Sequence, residues 1–139
     1  MTVANAYPYA RAYQRTQTET ATPTRLVVML YDGALRFLGA AHEKMLTQEI
    51  EAKHTALVKA QRILQELKRS LDKERGGEIA RNLDRLYDYM LQQLVEANLH
   101  DRIEPIERVM ELLRELRESW AAVDREVQKQ NGRRVDRDD

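Results

Sequence analysis

From Ile106 to Val127 the apolar residues recur at alternating steps of three and four: Ile106, Val109, Leu113, Leu116, Trp120, Val123 and Val127. That alternation averages 3.5 residues, so on a helix these side chains form one narrow seam, the a and d positions of left-handed helix packing. A strand cannot present such a row on one face, because its side chains alternate with a period of two. This stretch is therefore committed to a helix with another helix against it.

Three further segments carry a helical period. Thr22 places a side-chain oxygen ahead of Pro23, a cap followed by a first helical position where the missing proline N–H is not needed. The helix opened there runs to about Thr47. A second spans about Glu51 to Glu74, with Ala56, Leu57, Ala60, Ile63, Leu64, Leu67 and Leu71 inward, and Gly76–Gly77 supplies the chemistry of a left-handed C-terminal cap. A third, about Glu78 to Leu99, turns Ile79, Leu83, Leu86, Met90, Leu94 and Ala97 inward. Asp101 caps the fourth, about Arg102 to Gln130, and Pro105 falls in its first turn, where it breaks little.

Four amphipathic helices with short connections predict an all-α fold, an antiparallel up-down-up-down four-helix bundle. Its length is about 35 Å, at about 1.5 Å per residue over ~24 residues. Residues 1–21 are polar, rich in threonine and carry Pro8, and they read as a flexible N-terminal arm. The bundle domain then occupies residues 22–131, and residues 132–139 read as a disordered tail.

The remaining residues exclude most chemistry. The 23 Lys and Arg balance the 23 Asp and Glu, so no basic stripe invites nucleic acid. There is no cysteine. The N-terminus lacks a basic stretch followed by an apolar run, and no segment approaches about 18 uninterrupted apolar residues, so neither secretion nor membrane insertion is expected. The expected location is the cytoplasm. Ser70 and Ser119, the two serines, both fall on helices, where no strand-turn-helix elbow exposes a nucleophile. The RGGE run at 75–78 lacks the spacing of a phosphate-cradling loop. A di-iron bundle needs Glu-x-x-His on two helices. Glu51 and His54 supply one such spacing, but Glu96 and His100 stand four apart. No catalytic residue, metal or cofactor is expected.

The first helix is unusual in carrying two apolar stripes. Leu26, Met29, Leu30, Gly33 and Phe37 form one; Val27, Tyr31, Ala34, Leu38 and Ala41 form the other. Such a face has more apolar surface than one neighbouring helix covers. Gly33 costs about 1 kcal/mol against alanine, which points to a close approach at a bare Cα. The surplus stripe is the first candidate for a groove that grips another chain, and which stripe faces the core stays open at this level. Met29 and Met90 are soft side chains that tolerate an imperfect ligand. Tyr87 and Tyr89 point to nearly opposite sides of the third helix, so one at most packs squarely inside and one can line a groove. Asp32 is placed for an i, i+4 pair with Arg36 or for a partner contact.

Read together, MLYDGALRFL (29–38) after Thr22–Pro23, RGGEIARNLDRLYDYM (75–90) after a Leu-Asp pair, LVEAN (94–98), Tyr13 and the single Trp120 resemble the FliS family of flagellin-specific export chaperones. The likeness covers about residues 10–122 in order and spacing. It implies an antiparallel four-helix bundle with an N-terminal segment laid against it. The implied function is to cover the C-terminal helical region of flagellin in the cytoplasm, prevent premature polymerisation and deliver flagellin to the gate of the flagellar type III export apparatus. Such proteins are not enzymes. On this reading Leu26, Met29, Leu30, Gly33, Phe37, Tyr87 and Met90 form the flagellin-binding groove. Tyr13 is a plug that flagellin displaces, and the protein is a monomer or a weak homodimer. One departure is Thr18, where the family often carries valine. Without the resemblance, the residues alone also fit a generic helical-bundle adaptor for some other amphipathic helix.

Overall fold

The computed structural model describes residues 22–138 and contains four helices: α1 (Pro23–Leu46), α2 (Ile50–Arg69), α3 (Lys73–His100) and α4 (Glu104–Asp138). There is no strand among the described residues. The arm expected at 1–21, Tyr13 included, lies outside them.

Each helix end has a local chemical cause. At the start of α1 the Arg25 amide donates to Thr22 Oγ1 at 3.0 Å, the expected cap. At its end Gln48 adopts a left-handed conformation (φ 59°). The Glu49 and Gln48 amides then close back on the carbonyls of Lys44 (2.9 Å) and Met45 (3.2 Å). That is a Schellman closure with glutamine in the usual glycine position.

Two boundaries depart from expectation. Helix α2 stops at Arg69, and Asp72 starts a new turn by accepting the Arg75 amide at 3.1 Å. Gly77 (φ 52°, ψ −129°) then breaks the helical path inside α3. The glycine pair punctuates the chain as glycine chemistry requires, but the break lies beyond the α2–α3 turn. Asp101, expected to cap α4, instead terminates α3 in a left-handed conformation (φ 50°), with the Arg102 amide returning to the Ala97 carbonyl at 3.2 Å. Helix α4 continues through Asp138, past its expected end near residue 130. Gly132 costs that stretch about 1 kcal/mol, and residues 131–138 contain no proline to stop the helix.

The described chain divides into two compact units, Leu30–Arg114 and residues 22–29 with 115–138. In the larger unit the core is built from Tyr31, Ala34, Leu38 and Ala41 of α1 and Leu57, Ala60, Leu64 and Leu67 of α2. Tyr87, Met90, Leu94 and Ala97 of α3 and Ile106, Val109 and Leu113 of α4 complete it. Helices α2 and α3 run antiparallel: Lys53, early in α2, meets Asp101 at the end of α3, and Lys68, late in α2, meets Asp84 near its start. Ile79 is 73% exposed rather than inward. It stands two residues past the Gly77 break, and Ala80 takes the inner position under Gly76.

In the smaller unit the seam of α4 shifts by one residue. Val123 is exposed, and Asp124 is buried at 4%. The carboxylate of Asp124 accepts hydrogen bonds from the hydroxyls of Thr22 and Thr24, the latter at 2.8 Å, and Gln128 Nε2 donates to its other oxygen at 3.0 Å. Two hydroxyls at the head of α1 draw a polar acceptor to the position a strict seam would give to valine.

Candidate functional site

Helix α1 resolves its two stripes. Tyr31, Ala34, Leu38 and Ala41 are fully buried, so this stripe faces the core. Of its members only Val27 is half-buried, and Val28 lies inside in its place. The other stripe lies on the flank toward α2, and Leu30 and Phe37 are left half-buried there. Gly33, between them, is buried, and a Cβ on it would lie 3.2 Å from Ile63 Cδ1 of α2. The glycine therefore lets α1 approach α2 closely. The Lys59 ammonium stands 5.5 Å from the centroid of the Phe37 ring, a cation–π contact on the rim of the row. Leu26 and Met29, also half-buried, belong to the smaller unit.

Two expected groove residues lie elsewhere. Tyr87 (1% exposed) and Met90 (fully buried) belong to the core. They share the inner face of α3 with Ala80, Leu94 and Ala97, and the Tyr87 hydroxyl is 2.5 Å from that of Tyr31. Burial raises the Tyr87 pKa above the ordinary tyrosine value, against a smaller opposing pull from the Tyr31 hydroxyl. Tyr89, nearly opposite on the helix, is the exposed tyrosine of the pair.

Sequence reasoning missed two buried polar groups. Lys53 is 3% exposed, and its ammonium donates to Asp101 Oδ1 at 2.5 Å and to the Asn98 carbonyl at 3.2 Å. The signal was present, since Lys53 precedes Ala56 and Leu57 by three and four residues and so lies on the apolar stripe of α2. Asp124 likewise falls four residues after Trp120 and three before Val127.

The row on α1 offers apolar side chains, with the cations of Lys59 on α2 and Arg36 on α1 beside it. Among the described residues no group of three or more His, Asp or Glu is placed to hold a metal ion. No described helix is long and apolar enough to cross a membrane.

Fold and site together define an all-α helical bundle whose first helix keeps part of its apolar surface out of the core. A solved structure described as a flagellar chaperone from bacteria shares this fold, with a TM-score of 0.70 over 84% of this chain and 97% of that one, at 21% identity. The family described as Flagellar protein FliS matches residues 4–127. The flagellar secretion chaperone FliS of Salmonella typhimurium is 40% identical over 83% of this chain and 86% of its own length. FliSB of Pseudomonas aeruginosa is 38% identical over 83% and 91%, and FliS of Bacillus subtilis 36% over 81% and 83%. The chain belongs to the FliS family of flagellar secretion chaperones. It is a chaperone of flagellar export and not an enzyme.

Proposed function

We propose that this chaperone acts in the cytoplasm by gripping the C-terminal helical region of flagellin along the α1–α2 flank. There it blocks premature polymerisation and hands flagellin to the gate of the type III export apparatus. The observation that carries this reading is the division of labour on α1. Tyr31, Ala34, Leu38 and Ala41 are fully buried, while Leu30 and Phe37 keep part of their surface exposed beside the Gly33–Ile63 contact. An amphipathic helix laid there covers them. This is helix-in-groove recognition.

Fully burying a leucine or phenylalanine side chain is worth about 1.5–3 kcal/mol, so residues already mostly covered return less than about 1 kcal/mol each. Ordering a free segment costs about 2–5 kcal/mol or more, so the partner has to cover a large area. Tyr13 is the proposed plug on this row, displaced when flagellin arrives.

Calorimetric titration with the C-terminal segment of flagellin from the same source tests the reading. Binding at about 1 µM or tighter, near −8 kcal/mol, is expected. The absence of heat at ~100 µM overturns the flagellin assignment, and binding of an unrelated amphipathic helix with equal strength makes the protein a generic adaptor. Phe37→Glu is expected to weaken binding at least about tenfold, or 1.4 kcal/mol, with helicity unchanged, and Tyr13→Ala to strengthen it. Unchanged binding in a folded Phe37→Glu protein places the contact elsewhere.

A further inference from the structure

Between α2 and the body of α3 lies a short segment with a break at each end. Helix α2 finishes at Arg69 with Ser70 as its cap, and Gly77 holds a backbone conformation (φ 52°, ψ −129°) that side-chain-bearing residues rarely adopt. The segment is organised internally: the Arg75 amide donates to Asp72 Oδ1 at 3.1 Å, and the Gly76 amide to the Asp72 carbonyl at 2.8 Å. Residues 72–76 are all exposed, and with Leu71 the segment borders a broad hollow of about 900 Å³.

One ion pair ties its side chains to the helix body. Lys73 Nζ lies 3.4 Å from Asp84 Oδ2, across the Gly77 break. The other oxygen of Asp84 lies 3.3 Å from Lys68 of α2, and Lys68 has a second partner in Asp88 at 3.5 Å. The fit is tight at Gly76, where a Cβ would lie 2.6 Å from Ala80 Cβ.

We propose that residues 70–77 form a hinged strap, pivoting at Gly77 and latched shut by Lys73 on Asp84, whose release bares Leu71 and Ala80 at the α2–α3 turn. Because Lys68 keeps Asp88, removing the Lys73 charge frees the strap without separating α2 from α3. Salt acts the same way, since at about 1 M the Debye length is about 3 Å and the latch is screened.

The absence of cysteine makes a distance measurement clean. Spin labels at Gln65→Cys on α2 and Glu74→Cys on the strap report the opening. A control pair at Thr55→Cys and Gln92→Cys reports the α2–α3 body; all four sites are exposed. At about 0.05 M salt the strap pair should give one narrow distance. At about 1 M a second component should appear, longer by about one helical turn, ~5 Å. Lys73→Met, which removes the charge, and Gly76→Ala, which fills the tight contact, should each show the longer component already at low salt. The control pair should not move. One unchanging strap distance in all of these proteins overturns the proposal, as does a control pair that shifts together with the strap.

Discussion

The hydroxyl oxygens of Tyr31 on α1 and Tyr87 on α3 meet 2.5 Å apart, with both side chains withdrawn from solvent. This buried polar contact links two helices that are not adjacent in sequence. Its value lies less in net stabilisation than in the cost of breaking it on one side only.

Replacing Tyr31 by Phe leaves the Tyr87 hydroxyl without its Tyr31 partner and should destabilise the fold by about 1–3 kcal/mol in urea unfolding. The double change to Phe removes both hydroxyls and should recover most of that loss; a double variant no better than the single would show that the contact contributes nothing. Burial raises the folded pKa of Tyr87, so its contribution is fully present below about pH 10, the unfolded value, and is lost as pH rises above it. Unfolding followed from about pH 9 to 11 should show a steeper alkaline loss for the wild type than for Tyr87→Phe.

Lys53 is buried, while its partner Asp101 is largely exposed. Asp101→Asn keeps a side chain that tolerates the left-handed backbone and removes only the charge. It should cost about 1–3 kcal/mol, below the 3–5 of a fully buried pair, because the Asn98 carbonyl still accepts from Lys53. Lys53→Met, which removes the buried ammonium itself, should cost less. The reverse order in thermal denaturation would contradict the burial argument.

Asp84 carries the acid sensitivity of the α2–α3 turn. Burial pushes its carboxyl pKa up, but the hydrogen bonds and charges of Lys68 and Lys73 together outweigh this and hold it below the ordinary value. A lowered folded pKa gives stability that is present above the unfolded value, near 3.8, and is lost as pH falls through the folded one. Asp84→Asn should therefore flatten the acid limb of the stability curve and leave the neutral-to-alkaline limb in place. An unchanged acid limb would show that the lysines are not coupled to it.

The close approach at Gly33 is testable by a double-mutant cycle. Alanine is the better helix former by about 1 kcal/mol, but its Cβ needs Ile63 to move by a few tenths of an ångström. Ile63→Val deletes the methyl concerned. Gly33→Ala should be more favourable in that background than in the wild type by about 0.5–1 kcal/mol, and zero coupling would deny the contact.

Much of the fold was legible because its causes are local. Thr22 before Pro23, the 3–4 spacing of Ile106, Val109 and Leu113, and the inner row of α2 from Ala56 to Leu67 all act over one or two turns. The misplaced boundaries share a cause. Asp72 and Asp101 are both competent cap residues, and which turn each one closes depends on how neighbouring residues satisfy the remaining amides and carbonyls. At Asp101 the deciding neighbour is Lys53, 48 residues away in sequence. The candidate row on α1 was legible as a surplus of apolar surface; that Tyr87 and Met90 do not belong to it was not, because periodicity gives an angle around a helix and does not say what stands at that angle.

By itself, then, the sequence determined the helices, the Thr22 cap that opens α1 and the presence of two apolar stripes on that helix. Tertiary structure alone decided that Tyr31, Ala34, Leu38 and Ala41 go inside while Leu30 and Phe37 stay half-open. Hydrophobicity does not decide this, because the stripe left part-exposed, with Leu26, Met29, Leu30 and Phe37, carries the larger apolar side chains. The choice falls to shape: Gly33 lets α1 settle against Ile63, and the Tyr31 hydroxyl finds Tyr87 only when its own stripe is turned inward.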